Sequence, residues 1–256
     1  MARLHYIKSG HGPVVVLSHA LGCHLGMWDE VTALLQARYT VLRYDQRGHG
    51  RSEHPTTPCT IDDMADDAAA LIREVVQGPV HFAGLSMGGM VAQALAVRHP
   101  ALLKSIVIAN SASYYDEAAR TMWQARVQTV CTQGMAAIAE GALQRWFTPE
   151  FRADPLRGAA RVQALRVELE QCDAPAYAAS CTAVASIDFR ASNPRNACPT
   201  LVIAGDRDEA TPPAMSQGIA AAIPGARLER LNAAHLSAVE QPAAFAALLD
   251  GFWQGR

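Results

Sequence analysis

The segment "HFAGLSMGGMVAQ", residues 81–93, constrains the fold of this 256-residue chain more than any other feature. It begins as a β-rich apolar run, turns at "GLSMG" and continues with the small and apolar residues of a buried helix. A serine at the tip of so tight a turn leaves no room for neighbouring side chains, so glycines must flank it. The segment therefore predicts a strand, a sharp turn and a helix, with the Ser86 hydroxyl presented at the carboxyl edge of a sheet.

Strands and helices alternate along most of the chain. The runs "YTVLRYD", "LKSIVIAN", "PTLVIAG" and "ARLERL" indicate strands, and "TIDDMADDAAALIREVV" indicates a helix with Thr60 as its N-cap. This alternation predicts an α/β protein with a mostly parallel sheet covered by helices on both faces. At the start, "RLHYIKS" and "PVVVLSH" flank "GHG", which predicts an N-terminal hairpin.

The character of the sequence changes between residues 113 and 197. This stretch is rich in Ala, Arg, Gln and Glu and has a helical pattern throughout. An all-helical insertion between two strands is expected to lie as a cap over the carboxyl edge of the sheet, where open α/β sheets bind ligands. We therefore predict a core formed by residues 1–112 and 198–256, with residues 113–197 as a helical cap.

Charge and hydropathy exclude several classes of protein. The formal net charge is −2, with both signs spread along the chain, so no surface for nucleic acid or an anionic membrane is expected. No apolar run reaches the roughly 18 residues that cross a bilayer. The first residues lack the pattern of a signal peptide, which predicts a cytoplasmic protein. Neither cysteines nor histidines cluster, so no metal and no organic cofactor is predicted.

Ser86 could be an incidental serine in a glycine-rich turn, or it could be a nucleophile. A serine nucleophile needs a general base. In proteins with this strand–turn–helix arrangement, the chain order is the serine, then an acidic residue, then the basic histidine. Only His99 and His235 follow Ser86. His99 closes the helix that Ser86 begins, about 20 Å away at 1.5 Å per residue. His235 is therefore the predicted base.

The acid that orients the base should follow the strand "PTLVIAG". Asp206 and Asp208 are the candidates in "GDRDEATPP". Asp206 directly follows the strand and is better placed to shape the turn, whereas Asp208 lies further out, within reach of the loop that carries His235. We therefore favour Asp208 and retain Asp206 as the alternative.

Two backbone amides are candidates for binding an oxyanion. The Met87 amide lies at a helix N-terminus directly after Ser86, and the Leu21 amide lies in the loop after the strand "PVVVLS". His19 is expected to fix the conformation of this loop by hydrogen bonding. The glycine-rich segment "YDQRGHGRSE" lacks the motifs of phosphate-binding loops and is interpreted as a structural turn.

Together these segments resemble the α/β-hydrolase superfamily over almost the whole chain. The stretches "LGCHLGMWD", "RYDQRGHGRS", "GLSMGGMVAQ", "RWFTPEF", "DEATPP" and "AAHLSAVEQP" are similar, in that order, to the 3-oxoadipate enol-lactonases of aromatic catabolism. The pair His19-Ala20 departs from the more polar pair expected there. The resemblance implies an α/β-hydrolase fold and a serine hydrolase that opens 3-oxoadipate enol-lactone to 3-oxoadipate through the triad Ser86, Asp208 and His235.

A substrate that carries a carboxylate needs a cation in its pocket. Arg145 is the candidate in the predicted cap, with Trp146 beside it, although Arg145 could equally be a solvated helix residue and Trp146 a packing residue. Other interpretations of the same triad remain open: a general carboxylesterase or another lactonase, a carbon–carbon bond hydrolase, or a slow-turnover small-molecule sensor. The expected partner is a small lactone or ester, and the sequence makes no prediction of oligomeric state.

Overall fold

The computed structural model describes residues 2–54 and 58–254. The described residues contain one seven-stranded sheet with the order β1-β3-β2-β4-β5-β6-β7. The strands are β1 (Tyr6–Gly10), β2 (Val14–Ser18), β3 (Thr40–Tyr44), β4 (Val80–Leu85), β5 (Leu103–Ala109), β6 (Thr200–Gly205) and β7 (Arg227–Leu231). The pairing of β1 with β3 is antiparallel and every other pairing is parallel, so the predicted mostly parallel sheet is confirmed.

Helices cover both faces of the sheet. Every residue of β4 and β6 is buried, and successive side chains of a strand point to opposite faces. The helices are α1 (Asp29–Leu35), α2 (Ile61–Val75), α3 (Met87–Arg98), α4 (Glu117–Gln133), α5 (Ala136–Trp146), α6 (Pro149–Ala153), α7 (Ala159–Glu170), α8 (Ala174–Ala185), α9 (Pro213–Ala222), α10 (Ser237–Glu240) and α11 (Pro242–Trp253). Thr60 caps α2 as expected, in a reciprocal pair of hydrogen bonds with Asp63.

The predicted N-terminal hairpin is wrong. β1 lies beside β3, with Tyr6 opposite Tyr44 and Gly10 opposite Thr40, and β2 lies on the other side of β3. β1 is mostly exposed whereas β2 is almost wholly buried. A strand with a continuous apolar run is stabilised most when it is buried between two neighbouring strands, and β2 pairs with β3 on one side and β4 on the other. The mainly exposed β1 is left at the edge, where one pairing suffices.

Five helices, α4 to α8, lie in the chain between β5 and β6. The two ends of this insertion meet in an antiparallel bridge between Tyr114 and Asp188, and the Phe189 amide donates to the Ser113 carbonyl at 2.7 Å. The division of the chain into core and cap at residues 113 and 197 stays a prediction. Within the described ranges, none of the helices combines the length and apolar character needed to cross a membrane.

Candidate active site

Ser86 is the residue between β4 and α3. Its backbone has φ +57° and ψ −113°, an unusual conformation for a residue with a side chain. The Ser86 amide donates to the Ala109 carbonyl at 2.9 Å, and the Ser111 hydroxyl donates to the Ser86 carbonyl at 2.8 Å. Both ends of the strained residue are therefore held by residues at the end of β5 and just beyond it.

The flanking glycines are required by close backbone contacts. A Cβ atom on Gly84 would overlap the Gly88 carbonyl, and one on Gly88 would overlap the Ser18 carbonyl of β2. No flexible side chain could move to relieve either overlap, because the obstructing atoms belong to the backbone. The predicted reason for these glycines, close passage of the chain on both sides of the serine, agrees with this geometry.

Three predicted residues meet at the carboxyl edge of the sheet. The Ser86 Oγ lies 2.9 Å from His235 Nε2, and His235 Nδ1 lies 2.9 Å from Oδ2 of Asp208. His235 follows β7 and Asp208 follows β6, so three separate strand ends bring them together. Ser86 is partly open to solvent, whereas His235 and Asp208 are buried. This is the geometry in which an imidazole can accept a proton from a serine hydroxyl while a carboxylate orients it.

Asp208 is surrounded by hydrogen-bond donors. Oδ1 accepts the amides of Ala210 at 2.8 Å and Thr211 at 2.9 Å. Oδ2 accepts the Thr211 hydroxyl at 2.7 Å and the Asn110 side-chain amide at 2.9 Å. Burial by itself raises the pKa of Asp208, but the charge of His235 and these hydrogen bonds outweigh it and hold that pKa below its usual value. The carboxyl group is therefore ionised at neutral pH.

Asp206, the alternative acid, lies away from this cluster. Its Oδ1 forms an exposed ion pair with Arg230 at 2.5 Å, and its amide donates to the Leu231 carbonyl at 2.8 Å. Of the two candidate acids, only Asp208 contacts His235. Sequence reasoning missed Asn110, which has φ +47° and joins Asp208 to the Ala234 carbonyl.

The loop after β2 places Leu21 beside the same cavity as Ser86. His19 fixes this loop as expected, because its Nδ1–H donates to the Ala20 carbonyl and its Nε2 accepts the Gln46 amide, each at 2.8 Å. Complete burial lowers the pKa of His19 to about 3, so the ring is neutral and Nε2 is free to accept. The Met87 amide is the first of α3 and has no acceptor within its own helix.

The glycine-rich segment after β3 acts as a structural turn, as interpreted. The Asp45 carboxylate accepts the Leu25 amide at 2.7 Å and the Arg51 amide at 2.9 Å. His49 Nε2 accepts the Gly22 amide at 3.2 Å, and burial lowers the pKa of His49 to about 3. The turn therefore holds the amide next to Leu21, a role of His49 that the sequence did not reveal.

A cavity of about 300 Å³ opens onto Ser86 and His235. Most of its walls are apolar and aromatic, and they come from the helical insertion, the loop after β2, the loop before α9 and the first turn of α9. These walls include Leu21, Tyr115, Met122, Trp123, Trp146, Tyr177, Pro212 and Met215. A larger groove of about 880 Å³ beside residues 2–6 contains none of the three clustered residues, so size alone does not identify the site.

Two guanidinium groups line the cavity, those of Arg126 on α4 and Arg145 on α5. Burial and the neighbouring charge of Arg126 lower the pKa of Arg145, while Glu209 in the same cavity raises it. Arg126 lies over the Trp123 ring at 4.7 Å. Among the described residues, neither guanidinium forms an ion pair with a carboxylate. The cavity therefore combines an apolar body with two guanidinium groups, which an acidic ligand could pair, and one carboxylate, that of Glu209.

Residues 13–242 match the family described as the alpha/beta hydrolase fold. The chain belongs to the α/β-hydrolase family. It is a hydrolase, since the family match and the relatives below agree on that class. The serine turn, the strand order and the helical insertion are the parts of this α/β-hydrolase that build the site described above.

Named relatives of this α/β-hydrolase include 3-oxoadipate enol-lactonase 2 of Acinetobacter baylyi, which is 40% identical over 94% of this chain and 90% of the relative. A second relative from that organism, 3-oxoadipate enol-lactonase 1, is 33% identical over 94% of this chain and 89% of the relative. Among solved structures, the enol-lactonase from Burkholderia xenovorans LB400 superposes with a TM-score of 0.94 at 35% identity, over 99% of this chain and 97% of that one.

Proposed function

We propose that this α/β-hydrolase opens 3-oxoadipate enol-lactone to 3-oxoadipate by a serine acyl-enzyme mechanism. The observation that carries the proposal is the cavity, where the hydroxyl of Ser86, hydrogen-bonded to His235, shares one space with the guanidiniums of Arg126 and Arg145. An enol-lactone that carries a carboxylate needs both a nucleophile and a cation in one small pocket. The named relatives support the same substrate.

Acylation begins with proton transfer from Ser86 Oγ to His235 Nε2, and Oγ attacks the lactone carbonyl carbon. The charge that develops on the carbonyl oxygen is stabilised by hydrogen bonds from the amides of Leu21 and Met87. The imidazolium formed on His235 is stabilised by Asp208. Collapse of the tetrahedral intermediate breaks the ring C–O bond, and His235 returns the proton to the enol oxygen. The enol then tautomerises to the ketone, which leaves an acyl-enzyme on Ser86.

Deacylation uses the same groups in reverse order. His235 removes a proton from water, the resulting hydroxide attacks the acyl carbon, and the same two amides stabilise the oxyanion. The ester bond to Ser86 breaks and Oγ takes the proton back from His235. The product has gained a second carboxylate next to Ser86, and both carboxylates lie in a cavity that Arg126 and Arg145 line.

Hydrolysis of 3-oxoadipate enol-lactone, followed by its loss of ultraviolet absorbance, tests the proposal. We expect the wild-type protein to turn over the lactone and Ser86→Ala to lose several orders of magnitude in kcat. A wild-type protein that cleaves p-nitrophenyl acetate but not the lactone would refute the substrate and favour a general carboxylesterase or another lactonase. Covalent labelling of Ser86 without steady-state product would favour a small-molecule sensor. Turnover of a dienone would favour a carbon–carbon bond hydrolase.

Arg145 is proposed as the main anchor of the substrate carboxylate, with Trp146 lining the pocket beside it. A charged hydrogen bond of this kind contributes about 1.5–3 kcal/mol, so Arg145→Ala should raise KM for the acidic lactone by about 10- to 150-fold. KM for a neutral ester of similar size should change little. Arg120→Ala, which removes an arginine of α4 outside this cavity, is the matched control. Equal effects of Arg145→Ala on acidic and neutral substrates would contradict the assignment.

A further inference from the structure

The backbone on both sides of His235 is held by groups outside its own loop. The Leu236 amide donates to the Trp146 carbonyl at the end of α5, at 3.0 Å. The Ala234 amide donates to the carboxylate of Glu240 at 2.9 Å. The loop that carries His235 is therefore tied to α5 and α10 through the amides on both sides of the histidine.

The Glu240 carboxylate also reaches the chain just beyond α5. The hydroxyl of Thr148 donates to Oε1 of Glu240, and the Thr148 amide lies 3.4 Å from Oε2. Thr148 is also the N-cap of α6, since its Oγ accepts the Phe151 amide at 3.3 Å. Glu240 is only 3% exposed and Thr148 only 5%, so water does not substitute easily for these bonds.

We propose that Glu240 is a positioning residue, which fixes His235 relative to both Ser86 and the substrate-binding end of α5. The proposal rests on the serine hydrolase function proposed above. Arg145 and Trp146 line the cavity, and Thr148 lies two residues further on. One carboxylate thus connects the segment that would hold the substrate to the loop that holds the base.

The physical basis is the sensitivity of proton transfer to distance. The bond between Ser86 Oγ and His235 Nε2 is 2.9 Å long, and a misplacement of about 1 Å costs on the order of 100-fold in rate. Without the Glu240 side chain, the buried Ala234 amide loses its acceptor, and the loop must shift to find another. His235 moves with the loop, while Arg145 and Trp146 keep their places on α5. The chemical step should therefore suffer more than substrate binding.

Replacement by glutamine separates positioning from charge. The side-chain oxygen of a glutamine at this position can accept from the Ala234 and Thr148 amides, and its NH₂ group can donate to the Thr148 hydroxyl, which is also an acceptor. Glu240→Gln therefore keeps a hydrogen bond at each connection, while it removes the negative charge and reverses the direction of the bond to the Thr148 hydroxyl. If Glu240 acts by position, the glutamine should restore most of what Glu240→Ala loses.

The test compares these variants on the acidic lactone and on p-nitrophenyl acetate, with active sites counted by phosphonate titration of Ser86. We expect Glu240→Ala to lower kcat per active site about 10- to 100-fold, with KM changed less than about threefold. Glu240→Gln should stay within about fivefold of wild type. Glu150→Ala is the matched control, because Glu150 forms an exposed ion pair with Arg207 at 2.8 Å between α6 and the loop after β6, and it should leave kcat unchanged.

Thr148→Val is a second variant for the case in which Glu240→Ala does not fold. It removes one donor to the carboxylate, together with the side-chain cap of α6, and leaves the bond between Glu240 and the Ala234 amide. It should lower kcat about three- to tenfold, and Thr148→Ser should restore it. The proposal would be overturned if Glu240→Ala or Thr148→Val folds and keeps the wild-type kcat. It would also be overturned if kcat falls as far in Glu240→Gln as in Glu240→Ala. A wild-type protein without Ser86-dependent hydrolysis would instead refute the proposed function, so the two failures are distinguishable.

Discussion

Exchange of Asp208 for asparagine should abolish most of the activity while preserving the shape of the site. Every polar neighbour of the carboxylate donates a hydrogen bond, so the new NH₂ group must face a donor wherever it lies. The Oδ1 position is the worse choice, because two backbone amides point at it. At the Oδ2 position the Thr211 hydroxyl can rotate and accept. The NH₂ group should therefore take the place of Oδ2, 2.9 Å from Nδ1 of His235.

That placement forces the wrong tautomer on His235. Nδ1 must now accept a hydrogen bond, so the ring proton moves to Nε2, which faces Ser86. A protonated Nε2 cannot remove the serine proton. The same exchange in serine proteases of this chemistry costs about 10⁴-fold in kcat, equivalent to about 5 kcal/mol of transition-state stabilisation. We expect a loss of that order here, because the hydrogen bonds around the imidazole are the same.

The assay is steady-state hydrolysis of the enol-lactone and of p-nitrophenyl acetate, with circular dichroism to establish folding. Asp206→Asn is the matched control, since Asp206 lies two residues away in an exposed ion pair and should change kcat less than about twofold. Asp208→Asn with kcat within about tenfold of wild type would refute the tautomer argument. Equal losses of kcat in Asp208→Asn and Asp206→Asn would show that the effect comes from a disturbed loop and not from the Asp208 carboxylate.

Two further predictions concern stability. Gly88→Ala should strongly destabilise the protein, because its Cβ would overlap the Ser18 carbonyl, and a well-folded, active Gly88→Ala would contradict this steric argument. Gly218→Ala on α9 meets open space and should raise the free energy of unfolding by about 0.5–1 kcal/mol. Urea titrations measure both effects. The pKa values of His19 and His49 are about 3 when folded and about 6.5 when unfolded, so the unfolded state binds more protons near and below pH 6.5. These two histidines should lower the free energy of unfolding by about 2–3 kcal/mol from about pH 7.5 to about pH 5.5, against a smaller opposite contribution from His24, whose pKa Glu168 raises. A flat profile in urea unfolding would refute that, and His49→Gln should remove about half of the decrease.

The residues of the proposed triad could be selected from the sequence because each belongs to a local pattern. The turn around Ser86 needs its glycines, and those glycines show in the sequence without knowledge of any distant contact. His235 and Asp208 followed from chain order and from the strands that precede them. The choice between Asp206 and Asp208 needed only the distance each lies beyond the end of β6.

Features that depend on distant parts of the chain could not be predicted in the same way. The sequence of β1 and β2 is compatible with a hairpin. The hairpin does not form because β3 pairs with both strands and lies between them. Arg126 joins the cavity because α4 and α5 pack side by side, which no local pattern specifies. Asn110 supports Asp208 across 98 residues of chain, and a lone asparagine after a strand gives no sign of that contact.

The two buried histidines connect the stability of the fold to the proposed chemistry. His19 lies two residues before Leu21, and His49 holds Gly22, the residue after it. In both rings Nε2 accepts a backbone amide, which is possible only while the ring is neutral. Protonation would turn each acceptor into a donor facing another donor, and the loop would lose its support on both sides of the Leu21 amide. The burial that lowers these pKa values to about 3 therefore keeps both rings neutral, and the proposed oxyanion site supported, at pH values well above 3.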